Sequence, residues 1–285
     1  MIRCPYCWTQ NDGKPFARKT VWADIERYLD PGYALYRCDE CDLIYAAPIT
    51  SENIANLHRY YVEQYNTHDR GSSPEDMVAA VWSETAVKRL ARPILNRLRA
   101  LTWHSSNLAR DFGQGRAPEA LSLLHRRRAR SVLDIGCAAG GFVRSAHFMG
   151  MKAYGIEPDI RIVKALRKQG INKVTGGFFP ETIGPLNHYD ALTMFAVLFY
   201  IPEISPRLFR ACHELLSGCG TLIIFEPNTN CLDAPELATT LASPLTLNFT
   251  SPAFMQRAAR DAGFSAYEHV PCRGEPFYGF HVMTT

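Results

Sequence analysis

The spacing of apolar and polar positions changes at about residue 130. Before it, apolar residues recur every three to four positions through residues 51–128, which predicts a helical segment. One helix is expected to begin at Pro74, after two serines that can cap it, and another at Ala117. Beyond residue 130, short apolar runs alternate with amphipathic stretches, as in a sheet whose strands are joined by helices.

This alternation predicts an α/β fold with a mostly parallel sheet, helices on both faces and a C-terminal hairpin. Strands are predicted near residues 131–135, 152–157, 172–176, 189–194, 220–226, 265–271 and 278–284. Helices are predicted near residues 140–150, 159–169, 203–217 and 251–263. Ligands of open α/β sheets bind beyond the carboxyl ends of the strands. The candidates by position are therefore Asp134, Glu157, Phe178, Phe195 and Glu226.

Composition and charge narrow the class of protein. The chain has 285 residues, 47% of them hydrophobic, enough for one large domain and a smaller unit. A net charge of +3 does not by itself indicate a nucleic-acid partner. No apolar run approaches the eighteen residues of a membrane span, and the N-terminus lacks the apolar core of a signal peptide. We therefore expect a cytoplasmic protein without a membrane partner.

Two Cys-x-x-Cys pairs lie near the N-terminus, Cys4 with Cys7 and Cys38 with Cys41. Two such pairs can complete a tetrahedral shell of four thiolates around zinc, with no coordination position left for catalysis. Residues 1–50 are therefore predicted to form a zinc ribbon with one structural zinc ion per chain. Its predicted strands are residues 19–22 and 34–37. The alternative is two redox pairs, although neither pair precedes a thioredoxin-like βαβ unit.

A turn of small residues, Gly136 to Gly141, joins the strand that starts near residue 131 to the next helix. Such a turn lets a ligand approach the backbone closely, and Glu157, at the end of the next strand, can accept hydrogen bonds from two ribose hydroxyls. Asp134 precedes the turn and could bind an ammonium group, whereas a pyrophosphate site would exclude that charge. The alternative is a βαβ turn that binds no ligand.

The turn resembles motif I of the class I S-adenosylmethionine (SAM)-dependent methyltransferases, and Gly155 to Asp159 resembles their second motif. The resemblance extends over about residues 130–270 through Tyr189 to Pro202 and Leu215 to Leu222. It implies a Rossmann-like sheet over residues 129–285, with residues 51–128 as a helical cap. The SAM-binding residues that it implies are Asp134, Gly136, Cys137, Ala138, Gly140, Glu157, Pro158, Phe178, Phe179 and Phe195.

The N-terminal segment resembles that of bacterial methyltransferases which tailor sugars, polysaccharides or natural products. Those relatives commonly have Glu-His where this chain has Phe199-Tyr200, and many have a histidine before a Phe-Thr pair, here Phe249-Thr250. The histidine is the obvious base for an acceptor hydroxyl. The candidates that remain for the catalytic site are Tyr200, Glu226, Tyr65 and His58, with Tyr61 and His104 as further possibilities.

We expect SAM-dependent methylation of a small-molecule acceptor, at oxygen on a sugar or natural-product scaffold. The acceptor pocket is expected between the catalytic domain and the helical cap, with Tyr61, Tyr65, Tyr200 and Glu226 converging on it. One alternative is a zinc-ribbon RNA methyltransferase that binds phosphates through the arginines of residues 126–130. The low net charge and the acids beside the second cysteine pair disfavour this alternative. Another is a SAM-binding protein that transfers no methyl group.

Overall fold

The computed structural model describes residues 2–12, 14–18, 34–60, 73–82, 117–202, 204–227, 246–272 and 278–285. In chain order, the elements are β1 (Ala17–Arg18), β2 (Ala34–Arg37), β3 (Ile44–Ala47), α1 (Ser51–Tyr60), α2 (Pro74–Trp82), α3 (Ala117–Arg126), β4 (Ser131–Ile135), α4 (Gly141–Phe148), β5 (Lys152–Glu157), α5 (Ile160–Lys168), β6 (Val174–Gly176), β7 (Tyr189–Phe195), a 3₁₀ helix (Leu198–Tyr200), α6 (Pro206–Leu215), β8 (Leu216–Pro227), β9 (Asn248–Phe249), α7 (Pro252–Ala262), β10 (Ala266–Pro271) and β11 (Tyr278–Thr284).

These strands form two sheets. A seven-stranded sheet has the order β10-β11-β8-β7-β4-β5-β6, and a four-stranded sheet has the order β1-β2-β3-β9. The β4, β5 and β6 strands run parallel, and the C-terminal β10 and β11 are antiparallel, as the alternating pattern predicts. Buried residues predominate in β4, β5 and β8, which explains the apolar runs within these strands.

Contacts divide the chain into two compact units. The first unit comprises Met1–Gln64, Met194–Glu214 and Thr221–Thr285, and the second comprises Tyr65–Thr193 and Leu215–Gly220. The division predicted from the sequence, at residues 1–50, 51–128 and 129–285, stays a prediction. No helix within the described ranges has the length and apolar character needed to cross a membrane.

The predicted helix starts at Pro74 and Ala117 are confirmed. Ser73 caps α2, because its hydroxyl accepts a hydrogen bond from the Asp76 N–H at 3.1 Å. The predicted strand 34–37 is also confirmed, whereas its predicted partner, residues 19–22, lies outside the described residues. Strands β3 and β9 and the 3₁₀ helix were not predicted, because each is too short to produce a periodic pattern.

Candidate functional site

The turn after β4 has an uncommon backbone. Gly136 and Gly140 have φ angles of 74° and 78°, and Ala138, which carries a side chain, also has a left-handed φ of 46°. The N–H groups of Gly136 and Cys137 both donate to the carbonyl of Ile156 in β5, at 2.9 and 3.0 Å. A non-glycine left-handed residue persists where its surroundings fix it, and such residues cluster at functional sites.

Glu157, at the end of β5, fixes this turn. Its side chain is fully buried, and its Oε2 accepts a hydrogen bond from the Ala138 N–H at 2.8 Å. Its Oε1 accepts from the Asp159 N–H at 2.9 Å. A carboxylate accepts up to about four hydrogen bonds, so these two bonds are compatible with further bonds to ligand hydroxyls. The sequence predicted the ligand role of Glu157, but not that it holds the strained residue of the turn.

Asp134, at the carboxyl end of β4, is a buried acid. The Thr193 hydroxyl donates to its Oδ1 at 2.7 Å. The pKa of Asp134 is raised to about 8, chiefly by burial; the Thr193 hydrogen bond lowers it and the negative charge of Glu157 adds to the increase. A carboxyl group with such a pKa is mostly protonated at neutral pH and ionises when a cation binds beside it. This behaviour suits the ammonium-binding role predicted for Asp134.

We therefore expect binding of S-adenosylhomocysteine to release close to one proton at pH 7, because the ligand ammonium favours ionised Asp134. The affinity should rise as the pH increases from 6 towards the pKa of about 8. Calorimetry in buffers of different ionisation enthalpy measures the released proton. Asp134→Asn is the matched control: it should bind more weakly and without proton release. Proton release by the variant equal to that of the wild type would contradict this assignment.

Trp82 contacts the turn from the end of α2. Its indole N–H donates to the Ala139 carbonyl at 2.8 Å, and a Cβ added to Gly140 would lie only 3.3 Å from its ring. The Arg144 guanidinium lies 6.0 Å from the same ring. The helical pattern placed Trp82 among the apolar positions of its helix, but no sequence signal pointed to the turn, since the contact joins residues 57 positions apart. Trp82 thus supports the backbone of the turn.

The predicted adenine-binding residues follow β6. Phe178 and Phe179 are half-buried, as is Pro158, a further predicted SAM-binding residue that directly follows β5. The Gly177 N–H donates to the backbone carbonyl of Glu157 at 3.1 Å, so the segment that carries the two phenylalanines starts beside the end of β5. This position agrees with an adenine contact, which stays a prediction.

Glu226, in the first unit, has backbone partners. It is buried, and its Oε1 accepts hydrogen bonds from the N–H groups of Val197 and Leu198 at 2.9 and 2.8 Å. Burial raises the pKa of Glu226 to about 8. The carboxyl group therefore holds the N-terminal end of the 3₁₀ helix that contains Tyr200. A direct catalytic role for Glu226 stays a prediction.

The structure describes some of the remaining predicted site residues but not others. Tyr200 and Phe195 are half-buried, and the Tyr200 ring centroid lies 4.2 Å from that of Phe199. His58 is half-buried in α1. Three further candidates lie outside the described residues: Tyr61, Tyr65 and His104. Their convergence on one acceptor site stays a prediction.

The four N-terminal cysteines are brought together as predicted. Their sulfur atoms all lie within 4.8 Å of one another, with Cys4 and Cys41 3.6 Å apart and Cys7 and Cys38 3.4 Å apart. Tetrahedral coordination with Zn–S bonds of about 2.3 Å requires sulfur–sulfur distances of about 3.8 Å. The cluster is therefore compatible with one zinc ion.

The two cysteine pairs have the same local geometry. The N–H groups of Cys4 and Cys38 each donate to the carbonyl five positions on, at 3.0 and 2.9 Å. Trp8 and Asp42 donate back to the carbonyls of these cysteines, and their φ angles are 63° and 64°. The repeated turn presents both sulfur atoms of each pair to the same point.

Comparison with known protein families covers the same part of the chain. A family model for the methyltransferase domain matches residues 104–269, more than half of the chain. The chain belongs to this methyltransferase family. The predicted class I SAM-dependent methyltransferase fold is therefore confirmed, and the matched range contains both Asp134 and Glu157.

Individual relatives are distant. An uncharacterized protein of Haemophilus influenzae is 31% identical over 126 residues, which are 40% of this chain and 49% of that protein. The chain thus spans about half the length of this curated relative. A SAM-dependent methyltransferase from Archaeoglobus fulgidus has 15% identity and a TM-score of 0.49, covering 62% of this chain and 97% of that chain. The mitomycin 7-O-methyltransferase has 16% identity and a TM-score of 0.49, covering 82% of this chain and 67% of that chain.

Proposed function

We propose that this methyltransferase transfers the methyl group of SAM to an oxygen of a small-molecule acceptor, on a sugar or natural-product scaffold. The main support for SAM binding is a pair of buried acids, Asp134 and Glu157, at the ends of neighbouring strands. Glu157 also accepts a hydrogen bond from the N–H of Ala138, which has a left-handed φ. An ordinary βαβ turn that binds no ligand would not need a buried acid beside a second buried acid, since each raises the cost of ionising the other.

These residues fit the groups of SAM. Ionised Asp134 would bind the ammonium of the methionine end, and the turn from Gly136 to Gly140 would allow close approach of that end. Glu157 would accept hydrogen bonds from the ribose hydroxyls, and Phe178 or Phe179 would cover the adenine. When bound, SAM supplies an electrophilic methyl group on a sulfonium. The acceptor oxygen forms the new bond to carbon, the sulfur keeps the electron pair, and the acceptor proton leaves.

The acceptor has its own requirements. Methyl transfer needs in-line alignment above all, and positioning can supply much of the rate. The candidates to position the acceptor or take its proton are Tyr200, Tyr65, His58 and Glu226. An acceptor hydroxyl that is already acidic would reduce the need for such a base, whose contribution is typically about 10²–10⁴-fold.

We further propose that Cys4, Cys7, Cys38 and Cys41 bind one zinc ion per chain. The sulfur distances support tetrahedral coordination by four thiolates, and such closed sites are structural. A segment of about fifty residues has too small a hydrophobic core to be stable by itself, so the metal would supply part of its folding free energy.

Incubating the purified protein with methyl-labelled SAM and extracts of its host tests the acceptor class. We expect label in small molecules, and its yield should be insensitive to nuclease. The second candidate, an RNA methyltransferase, is favoured by the exposed arginines Arg126, Arg127 and Arg128, although cations also stabilise the C-terminal end of α3. Label in a nuclease-sensitive polymer would support that candidate instead. No transfer to any fraction would favour a SAM-binding protein.

A further inference from the structure

The 3₁₀ helix Leu198–Tyr200 is held at its N-terminal end by Glu226, as described above. The Leu198 carbonyl accepts from the Ile201 N–H at 3.1 Å, but a helix of three residues supplies no internal donor for the carbonyls that follow. A carbonyl buried without a partner costs free energy, so the surrounding chain must supply donors. Both donors described below come from the short segment at β9.

Asn248 in β9 supplies one set of donors. It is 1% exposed, and its side-chain amide donates to the carbonyls of Ile201 and Leu198, the latter at 3.5 Å. Because both partners are carbonyl oxygens, the amide nitrogen, not the oxygen, must face them. The neighbouring Leu247 N–H donates to the Phe199 carbonyl at 2.6 Å. Together these two residues bind three carbonyls of the segment that carries Tyr200.

The same short strand belongs to the N-terminal sheet. Asn248 pairs with Tyr45 of β3, and the Ala46 N–H donates to the Leu247 carbonyl at 2.7 Å. Strand β3 pairs in turn with β2, and the turn between them contains Cys38 and Cys41. A continuous hydrogen-bonded path therefore runs from the cysteine cluster to the 3₁₀ helix, entirely within the first unit.

Burial of the Asn248 side chain costs free energy. Its Oδ1 is buried and has no partner among the described residues. A leucine of similar volume would avoid this cost but could not donate to the two carbonyls. The arrangement is explained if the function of Asn248 is to fix the 3₁₀ helix.

We propose that Asn248 is a positioning residue, and that the four-stranded N-terminal sheet acts as the scaffold that fixes the segment carrying Tyr200. The importance of Tyr200 for the acceptor rests on the proposed function. The structural part of the proposal concerns only the hydrogen bonds of the segment and can be tested without any acceptor.

Hydrogen exchange of the full-length, zinc-loaded protein tests the scaffold. In Asn248→Leu, we expect amides of residues 197–202 to exchange about tenfold faster, while residues 131–142 exchange as in the wild type. Thr250→Val is the matched control, because Thr250 is also buried and its hydroxyl has no partner among the described residues. Unchanged exchange at residues 197–202 in folded Asn248→Leu, or an equal increase in Thr250→Val, would overturn the proposal.

Asn248→Asp provides a second readout that simple loss of packing would not produce. Only the protonated carboxyl can donate to a carbonyl, so the excess exchange at residues 197–202 should increase with pH, after correction for the intrinsic rate. In Asn248→Leu the excess should not depend on pH. The same pH dependence in both variants would contradict the role of the amide as a donor.

Calorimetry with S-adenosylhomocysteine is run on each variant, and we expect affinities within about twofold of the wild type. Absence of ligand binding in the wild type would refute the proposed function and leave the exchange result standing.

Discussion

Glu157→Ala is expected to weaken binding of S-adenosylhomocysteine by about 100-fold or more, equivalent to about 3 kcal/mol. The substitution removes the predicted acceptor of the ribose hydroxyls. It also leaves the N–H groups of Ala138 and Asp159 without the carboxylate oxygens that bind them at 2.8 and 2.9 Å. Since Ala138 has a left-handed φ of 46°, we expect the turn to relax and lose its fit to the ligand.

Titration calorimetry measures this effect. Glu157→Gln keeps one acceptor oxygen and should bind with intermediate affinity. Glu268→Ala, which removes an exposed acid on β10, is the control and should bind like the wild type. An affinity of Glu157→Ala within about threefold of the wild type would show that Glu157 neither binds the ligand nor shapes the turn.

The second large effect is expected from loss of the proposed metal. Cys38→Ser should abolish zinc binding and lower the free energy of unfolding by several kcal/mol, since a structural site contributes its binding free energy to folding. The loss should extend beyond the cysteine pairs, because the Tyr6 hydroxyl donates to Asp261 in α7 at 3.0 Å and its ring packs against Phe254 at 4.9 Å.

Elemental analysis and thermal unfolding measure these two consequences. Cys219→Ser is the matched control, because Cys219 is an exposed free thiol outside the cluster. Binding of S-adenosylhomocysteine by Cys38→Ser should stay within about threefold of the wild type, since Asp134 and Glu157 belong to the other unit. Absence of metal from wild-type protein purified without chelators would refute the zinc proposal.

The parts of the fold that the sequence predicted are those with local signals. Strands β4 and β5 are mostly buried and contain short apolar runs, and the small residues between β4 and α4 indicated the turn. Two cysteines three positions apart can share a metal ion in many folds, so the spacing alone was enough to predict the cluster.

The parts that the sequence did not predict depend on contacts between distant residues. Strand β9 has two residues and pairs with β3, about 200 positions earlier in the chain, so it has no pattern of its own. Trp82 reaches the turn through a bond to Ala139 that helical spacing cannot show. Glu226 was predicted as a site residue because it ends a strand, but the sequence did not show that its carboxyl group accepts hydrogen bonds from the backbone at the start of the 3₁₀ helix.

The central claim is that the turn after β4, with Asp134 and Glu157, binds the methyl donor. Calorimetric titration of the full-length, zinc-loaded protein with S-adenosylhomocysteine tests it most directly. We predict saturable binding of one ligand per chain, accompanied by proton release at pH 7. No detectable binding by the folded protein would contradict the assignment of this turn as the SAM site.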